Sequence, residues 1–308
     1  MKKVVITGAN GFIGKNLVKK LAVKGIKVYA VVKDITSNIS EIQNIINVEV
    51  IYCNLINISE LDKKISDRDI DVFYHFAWAG TSGTARTDYE LQLLNVKASC
   101  DSVKVSSAMK VKKFVFAGSI LEYECQKYFS LDFLKPPLNN IYNAAKIAAH
   151  YISKTLAYDL GINFICATIS NIYGIGEVSE RLVCTTITKL IRKQKTSFTE
   201  GNQLYDFIYI DDAVKAFELI GEYGKPFKNY YIGNPTPHSL KEFLIKIRDC
   251  IDDSIDLGLG EIPYKGVYLN YDEFSTLGLY EDFHFKPAVS FENGIKLTTE
   301  WLRKITTS

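Results

Sequence analysis

The sequence predicts an α/β chain built on a doubly wound parallel sheet, with a smaller, mixed lobe towards the carboxyl end. Three observations predict it. Short β-branched runs alternate with helical patterns through the first half, a glycine-rich turn joins the first run to the first helical pattern, and the alternation loosens beyond about residue 173. Strands alternating with helices pair in parallel and are covered on both faces. With 308 residues, 47% of them apolar and 23% charged, the chain can build such a core without disulfide or metal staples.

The runs KKVVITG, IKVYAVV, NVEVIYCN, DVFYHFAWAG, KKFVFAGS and NFICATIS give six or seven parallel strands. Apolar positions three or four apart place helices at Lys15–Lys24, Ser59–Ile65, about Asp88–Met109 and about Asn140–Leu160. Further on, Leu182–Lys193 and Ser239–Ile251 read as helical, with glycine and proline clusters between them. Residues 205–220 read as strand then helix and 229–233 as a strand, so the chain revisits its first lobe. The expected division is therefore 1–172 with 206–233 for the sheet lobe, and 173–205 with 234–308 for the smaller one. A last amphipathic helix, FENGIKLTTEWLRKI, is expected to bury Leu297 and Trp301.

Charge excludes more than it assigns. Lysines and arginines total 37 against 35 acids, a net charge of +2, and the lysine pairs are scattered, so no nucleic-acid footprint is visible. Six dispersed cysteines without a CxxC read as free thiols in a reducing compartment, and no apolar run approaches the ~18–20 residues of a membrane helix. A cytoplasmic protein without a membrane partner is the expectation. The four histidines stand alone, without metal-ligand spacing, so no metal site is expected.

After the first strand comes Thr7-Gly8-Ala9-Asn10-Gly11-Phe12-Ile13-Gly14, followed at once by a helical pattern. A diphosphate met by amide groups at a helix start needs backbone without Cβ in its way, and three glycines supply it. The segment TGANGFIG resembles the start of the extended short-chain dehydrogenase/reductase family, of the NAD-dependent epimerase/dehydratase type, whose members act mainly on nucleotide sugars. That resemblance implies a Rossmann-type lobe with bound NAD(P). It assigns Gly8, Asn10, Gly11, Phe12, Ile13 and Gly14 to the coenzyme, with Asn54, Leu55, Phe76, Ala77 and Trp78 at later strand ends. The second strand ends Val31-Val32-Lys33-Asp34. Lys33 meeting a 2′-phosphate favours NADP(H); Asp34 on a ribose would fit NAD(H), which stays open.

The family's proton donor is a Tyr-x-x-x-Lys on a helix, and three such strings occur: Tyr29/Lys33, Tyr123/Lys127 and Tyr142/Lys146. In a strand four residues span about 13 Å, which removes Tyr29. Tyr123 follows a strand in what reads as a polar loop. Tyr142 opens the helical run YNAAKIAAHYISKTLAYDL, where an i,i+4 pair shares one face. A phenol of pKa near 10 needs a neighbouring ammonium to work near neutrality, and Lys146 is spaced to provide it. The resemblance makes Tyr142, Lys146 and Ser119 catalytic, Lys146 also holding the nicotinamide ribose and Ser119 the substrate oxygen.

Where the family's 4,6-dehydratases carry an Asp-Glu pair after the Ser/Thr, this chain has Ile120-Leu121, which cannot move protons. Glu122 has no assigned role. Trp78, where the family has alanine, either walls the sugar pocket or fills core. Asn95 matches a structural asparagine, Asn171 a ligand contact, and Asp211-Asp212 an N-cap. Tyr205 stands where an arginine commonly meets the sugar-nucleotide diphosphate, which leaves Arg181 or Arg192 for that task. The expected activity is NADPH-dependent reduction of a nucleotide-linked 4-keto-deoxysugar. Alternatives are a nucleotide-sugar 4-epimerase with tightly held NAD, and a non-catalytic NADP-binding sensor. The resemblance also implies a homodimer formed through the helices near 88–109 and 140–160.

Overall fold

The computed structural model describes residues 1–130 and 135–306. By its internal contacts the chain divides into one unit of Met1–Ile169 with Val214–Tyr230, and a second of Ser170–Ala213 with Tyr231–Ser308. Residues 170–172, 206–213 and 231–233, expected with the sheet lobe, thus fall in the second unit.

Six strands of the first unit follow the expected runs: β1 (Lys3–Thr7), β2 (Lys27–Val32), β3 (Val48–Tyr52), β4 (Val72–His75), β5 (Lys113–Ser119) and β6 (Asn163–Ile169). β7 (Asn171–Tyr173), β8 (Leu204–Tyr205), β9 (Phe207–Tyr209), β10 (Asn229–Ile232) and β11 (His238–Ser239) complete the set. The main sheet has the order β10-β6-β5-β4-β1-β2-β3. β1 pairs in parallel with β2 on one side and β4 on the other. That reversal of strand order opens a crevice beyond the carboxyl ends of the strands. The expected strand at 205–209 is not in this sheet: β8 pairs with β11 and β9 with β7.

The helices are α1 (Phe12–Val23), α2 (Leu61–Lys64), α3 (Tyr89–Ala108), α4 (Leu121–Ser130), α5 (Asn140–Asp159), α6 (Leu182–Ile191), α7 (Ile210–Tyr223), α8 (Leu240–Asp249), α9 (Leu277–Phe283) and α10 (Phe291–Thr306). Every second strand residue points to the same face, and Phe73, Phe114, Phe116 and Phe164 stack there, Phe73 on Phe114 at 5.2 Å between ring centres. Against them α3 presents serines rather than leucines. Ser99, Ser102 and Ser106 are buried and return their hydroxyls to carbonyls one turn back, at 2.6–2.9 Å. Such hydroxyls cost no unpaired polar atom. The facing side of α5 is equally small, with Ala145, Ala149, Ser153 and Ala157 buried.

Three expectations fail here for identifiable reasons. The polar loop around Tyr123 is helix α4, anchored inwards by Glu122 and Cys125 instead of an apolar stripe. α10 buries Phe291, Ile295, Thr298, Thr299 and Leu302, while Leu297 is 42% exposed and Trp301 half-buried, because threonines share the inner face. Asp212 does not cap α7: it lies inside the first turn, and its carboxylate accepts the N–H groups of Ala288 and Val289.

Candidate active site

The turn after β1 is shaped by its glycines. Gly8 has φ +66°, and a Cβ there would lie 2.9 Å from the Ala77 nitrogen. A Cβ on Gly14 would lie 2.1 Å from the Gly8 carbonyl oxygen. Gly11 caps α1 without a side-chain hydrogen bond, and the first turn carries no acid. The first N–H groups of a helix have no partner inside it, so this end suits a diphosphate. Asn10 donates to the Asn38 carbonyl at 3.3 Å. At the end of β2, Asp34 accepts the Thr36 N–H and hydroxyl at 2.9 and 2.6 Å, and these bonds hold its carboxyl below the usual range. Lys33 is 72% exposed and 3.9 Å from Asp34. Asn54 caps the short helix that begins at Leu55.

Beyond β4, His75 is buried and burial pushes its pKa down to about 3, with the Lys146 charge adding to the effect. Its two nitrogens face hydroxyls: Nδ1 lies 3.1 Å from Thr7 Oγ1 and Nε2 3.1 Å from Ser99 Oγ. Thr7 Oγ1 accepts the Ala77 N–H at 3.2 Å, and Ser99 donates to the Asn95 carbonyl. The neutral ring therefore accepts at Nδ1 and donates from Nε2. Asn95 clamps Ala79 through both its N–H and its carbonyl, at 2.9 and 2.8 Å. Phe76 packs on Phe217 at 4.7 Å.

Tyr142 and Lys146 both lie on α5 and are 8% and 6% exposed. Lys146 donates to the Ala117 carbonyl at 3.2 Å, and its ammonium is 3.7 Å from the centre of the Trp78 ring and 6.0 Å from that of Tyr142. Trp78 meets Tyr142 edge-on at 5.9 Å and donates to Gln92 at 2.8 Å. Trp78 thus packs against the core and also lies over the lysine. Ser119, at the end of β5, accepts the Leu121 N–H on its Oγ at 3.2 Å, which leaves its own O–H to donate. Ser119 N–H donates to Glu122 Oε1 at 2.8 Å, and Glu122 Oε2 lies 2.8 Å from His150 Nδ1.

One functional candidate escaped the sequence reading. Arg86, on the short helix Gly83–Thr87, lies 4.5 Å over the Tyr142 ring and donates to Asn143 at 3.3 Å, with its buried Nε unmatched. It also stands near Glu124, whose carboxyl is raised by burial and lowered by this guanidinium. No spacing rule links positions 86 and 142. In the second unit, Asn171 donates its amide to the Asp206 carbonyl at 3.1 Å, and Arg181 pairs with Glu177 at 3.5 Å. Among the described residues no His/Cys/Asp/Glu cluster could hold a metal, and no helix is long and apolar enough to cross a membrane.

Comparison with known proteins places the chain in a family and a fold. The model of the NAD dependent epimerase/dehydratase family matches residues 4–233. CDP-abequose synthase of Salmonella typhimurium is 27% identical over 300 residues, covering 95% of this chain and 96% of that protein. A putative UDP-glucose 4-epimerase of Methanocaldococcus jannaschii is 26% identical, covering 97% and 98%. The crystal structure of Bordetella bronchiseptica WbmF in complex with NADH shares the fold, with a TM-score of 0.81 at 19% identity over 99% of this chain and 93% of that one.

Proposed function

The chain belongs to the NAD dependent epimerase/dehydratase family, and on that premise we propose that it reduces the 4-keto group of a nucleotide-linked deoxysugar, using NADPH. The observation that carries the reading is the end of β5. Ile120 and Leu121 follow Ser119, and the next carboxylate, Glu122, spends one oxygen on the Ser119 N–H and the other on His150. Those positions have no group to remove water, which leaves hydride and proton transfer to the sugar carbonyl.

When bound, the nicotinamide coenzyme supplies the hydride. The glycine turn and the open end of α1 would hold its diphosphate, with Phe76, Ala77 and Trp78 as the strand-end residues beside it. Ser119 donates its hydroxyl proton as a hydrogen bond to the substrate oxygen, favouring the charge that develops there. Tyr142 gives that oxygen its proton, while Lys146 and Arg86 place positive charge beside the phenol. NADPH is favoured because Asp34 is committed to its own turn, whereas Lys33 presents an exposed ammonium.

The test is turnover of CDP- and dTDP-linked 4-keto-6-deoxyglucose with NADPH and with NADH, followed by coenzyme absorbance and product chromatography. Reduced sugar with a preference for NADPH is the expected result, and a Lys33→Ala variant should lose that preference. The 26% identical putative epimerase supports one rival. Isomerisation of UDP-glucose without added coenzyme would establish the epimerase in place of the reductase. Pairing of two chains through α3 and α5 is supported by exposed Leu93, Leu94, Tyr151 and Ile152; light scattering at the mass of one chain, 34.8 kDa, would reject it.

A further inference from the structure

The loop that follows β4 is folded around one side chain. Gln92, on α3, is 1% exposed, and both ends of its amide are engaged. Its Oε1 accepts the indole N–H of Trp78 at 2.8 Å and the side-chain amide of Asn95 at 3.2 Å. Its Nε2 donates to the carbonyls of Gly80 and Ala85, at 3.1 and 3.0 Å. An indole nitrogen only donates and a carbonyl only accepts, so this amide has a single orientation. Gly80, at φ +70°, lets the chain turn back on itself here: a Cβ on it would lie 2.8 Å from the Ala85 oxygen. The loop so pinned carries two contacts to α5. Trp78 lies 3.7 Å from the Lys146 ammonium, and Arg86, next to Ala85, lies 4.5 Å over the Tyr142 ring.

Arg86 has little of its own to hold it there. One guanidinium nitrogen donates to Asn143 at 3.3 Å, and the buried Nε has no hydrogen-bond partner. A buried donor left unpaired is costly, so the loop, rather than the guanidinium's own bonds, fixes the place over the ring. We infer that Gln92 is a positioning residue for the proposed proton donor: by pinning Gly80 and Ala85 it seats Arg86 over the Tyr142 phenol and so favours the ionised phenol. The inference rests on the reading of Tyr142 as that donor. A cation within about 4–6 Å favours a phenolate, and a guanidinium is drawn to an aromatic face and keeps its charge at every working pH. The charged groups facing the Tyr142 ring are Arg86 from the loop and Lys146 from α5, while Glu124 of α4 faces Arg86. A phenol that works near neutrality has to be brought down from its ordinary value near 10.

The test reads the phenol directly. The full chain is labelled with ¹³C at tyrosine Cζ and titrated by NMR, the Tyr142 signal being the one that Tyr142→Phe removes. Its midpoint should lie below 10, and Arg86→Met should raise it by about one pH unit. Gln92→Met keeps the length of the side chain, removes its amide, and should raise the midpoint as well. In Gln92→Met/Arg86→Met the midpoint should stay at the Arg86→Met value, because a charge already deleted cannot also be displaced. An unmoved midpoint in Gln92→Met, or shifts that add in the double variant, overturns the inference. Arg86→Met leaves the Gln92 bonds intact and decides the matter even where Gln92→Met does not fold: an unmoved midpoint there overturns the inference too. These readings need no substrate, so they stand apart from the reductase assignment. In turnover, the pH above which kcat falls should move upwards in the same variants. A kcat profile that stays put while the NMR midpoint moves would overturn Tyr142 as the donor, and with it the role of Gln92 in catalysis.

Discussion

In the sheet-bearing unit Thr7, His75, Ser99 and Asn95 form an unbroken chain of hydrogen bonds, whereas in the second unit the Ser170 and Tyr231 hydroxyls gather on the buried Asp206 carboxyl. Among the described residues Thr299 Oγ1 in the second unit and Arg86 Nε in the first, over the Tyr142 ring, are buried without a hydrogen-bond partner. Buried polar groups are ordinarily paired, and each exception asks for a cause. In the first unit it stands beside the proposed acid. In the second, a carboxyl with one oxygen on the Asn234 N–H is pushed up to about 7 by burial, against the hydrogen bonds of Asn234, Tyr231 and Ser170 that pull it down. One interior is closed by hydrogen bonds, the other by a proton.

The largest expected effect breaks the first half of this contrast at its functional end. Tyr142→Phe keeps the ring that Trp78 and Arg86 pack against, so kcat should fall about 10²–10⁴-fold while the unfolding midpoint holds. Undiminished turnover would remove Tyr142 as the acid. Thr7→Val strips one partner from the closed chain, leaving the Ala77 N–H and His75 Nδ1 without it, and should cost about 1–3 kcal/mol in urea unfolding. An unchanged midpoint would show that the chain does not stabilise the unit.

Asp206 sharpens the other side. Its folded pKa of about 7 lies above its ordinary 3.8, so the native state holds the proton more tightly. That contribution is complete below the ordinary value and is lost as pH rises through about 7. Asp206→Asn mimics the protonated form. The difference in midpoint between variant and wild type should therefore move in the variant's favour from about pH 5 to about pH 8; a flat difference contradicts the raised value. Least of all, Thr299→Val replaces an orphan hydroxyl with a methyl and should gain up to about 1 kcal/mol, the opposite sign to Thr7→Val. Destabilisation there would mean that the hydroxyl has a partner.

The sequence carried the local features well. The glycine turn, the strand ends and the Tyr142–Lys146 spacing each depend on residues within one turn or one strand, but helical context does not choose among the three Tyr-x-x-x-Lys strings, since Tyr123 and Lys127 also lie on a helix, α4. What it hid depended on distant partners. Arg86 acts on a ring 56 positions away, and Glu122 joins Ser119 to His150 on another helix. α4 was unreadable as a helix because its inward residue is an acid whose burial is compensated only in three dimensions. The misjudged face of α10 has a related origin: buried threonines look polar in a periodicity count, so Leu297 and Trp301 drew the stripe to the wrong side.

Lys146 and His150 lie one turn apart on α5, and both tie that helix to the end of β5, one through the Ala117 carbonyl and one through Glu122. The proposed donor phenol and the hydroxyl proposed to polarise the substrate therefore ride on a single braced frame. Little realignment remains to be done once a sugar arrives. The slow part of each catalytic cycle is then expected in the traffic of ligands, and a change of sugar preference in the loops around the frame, with the chemistry left as it is.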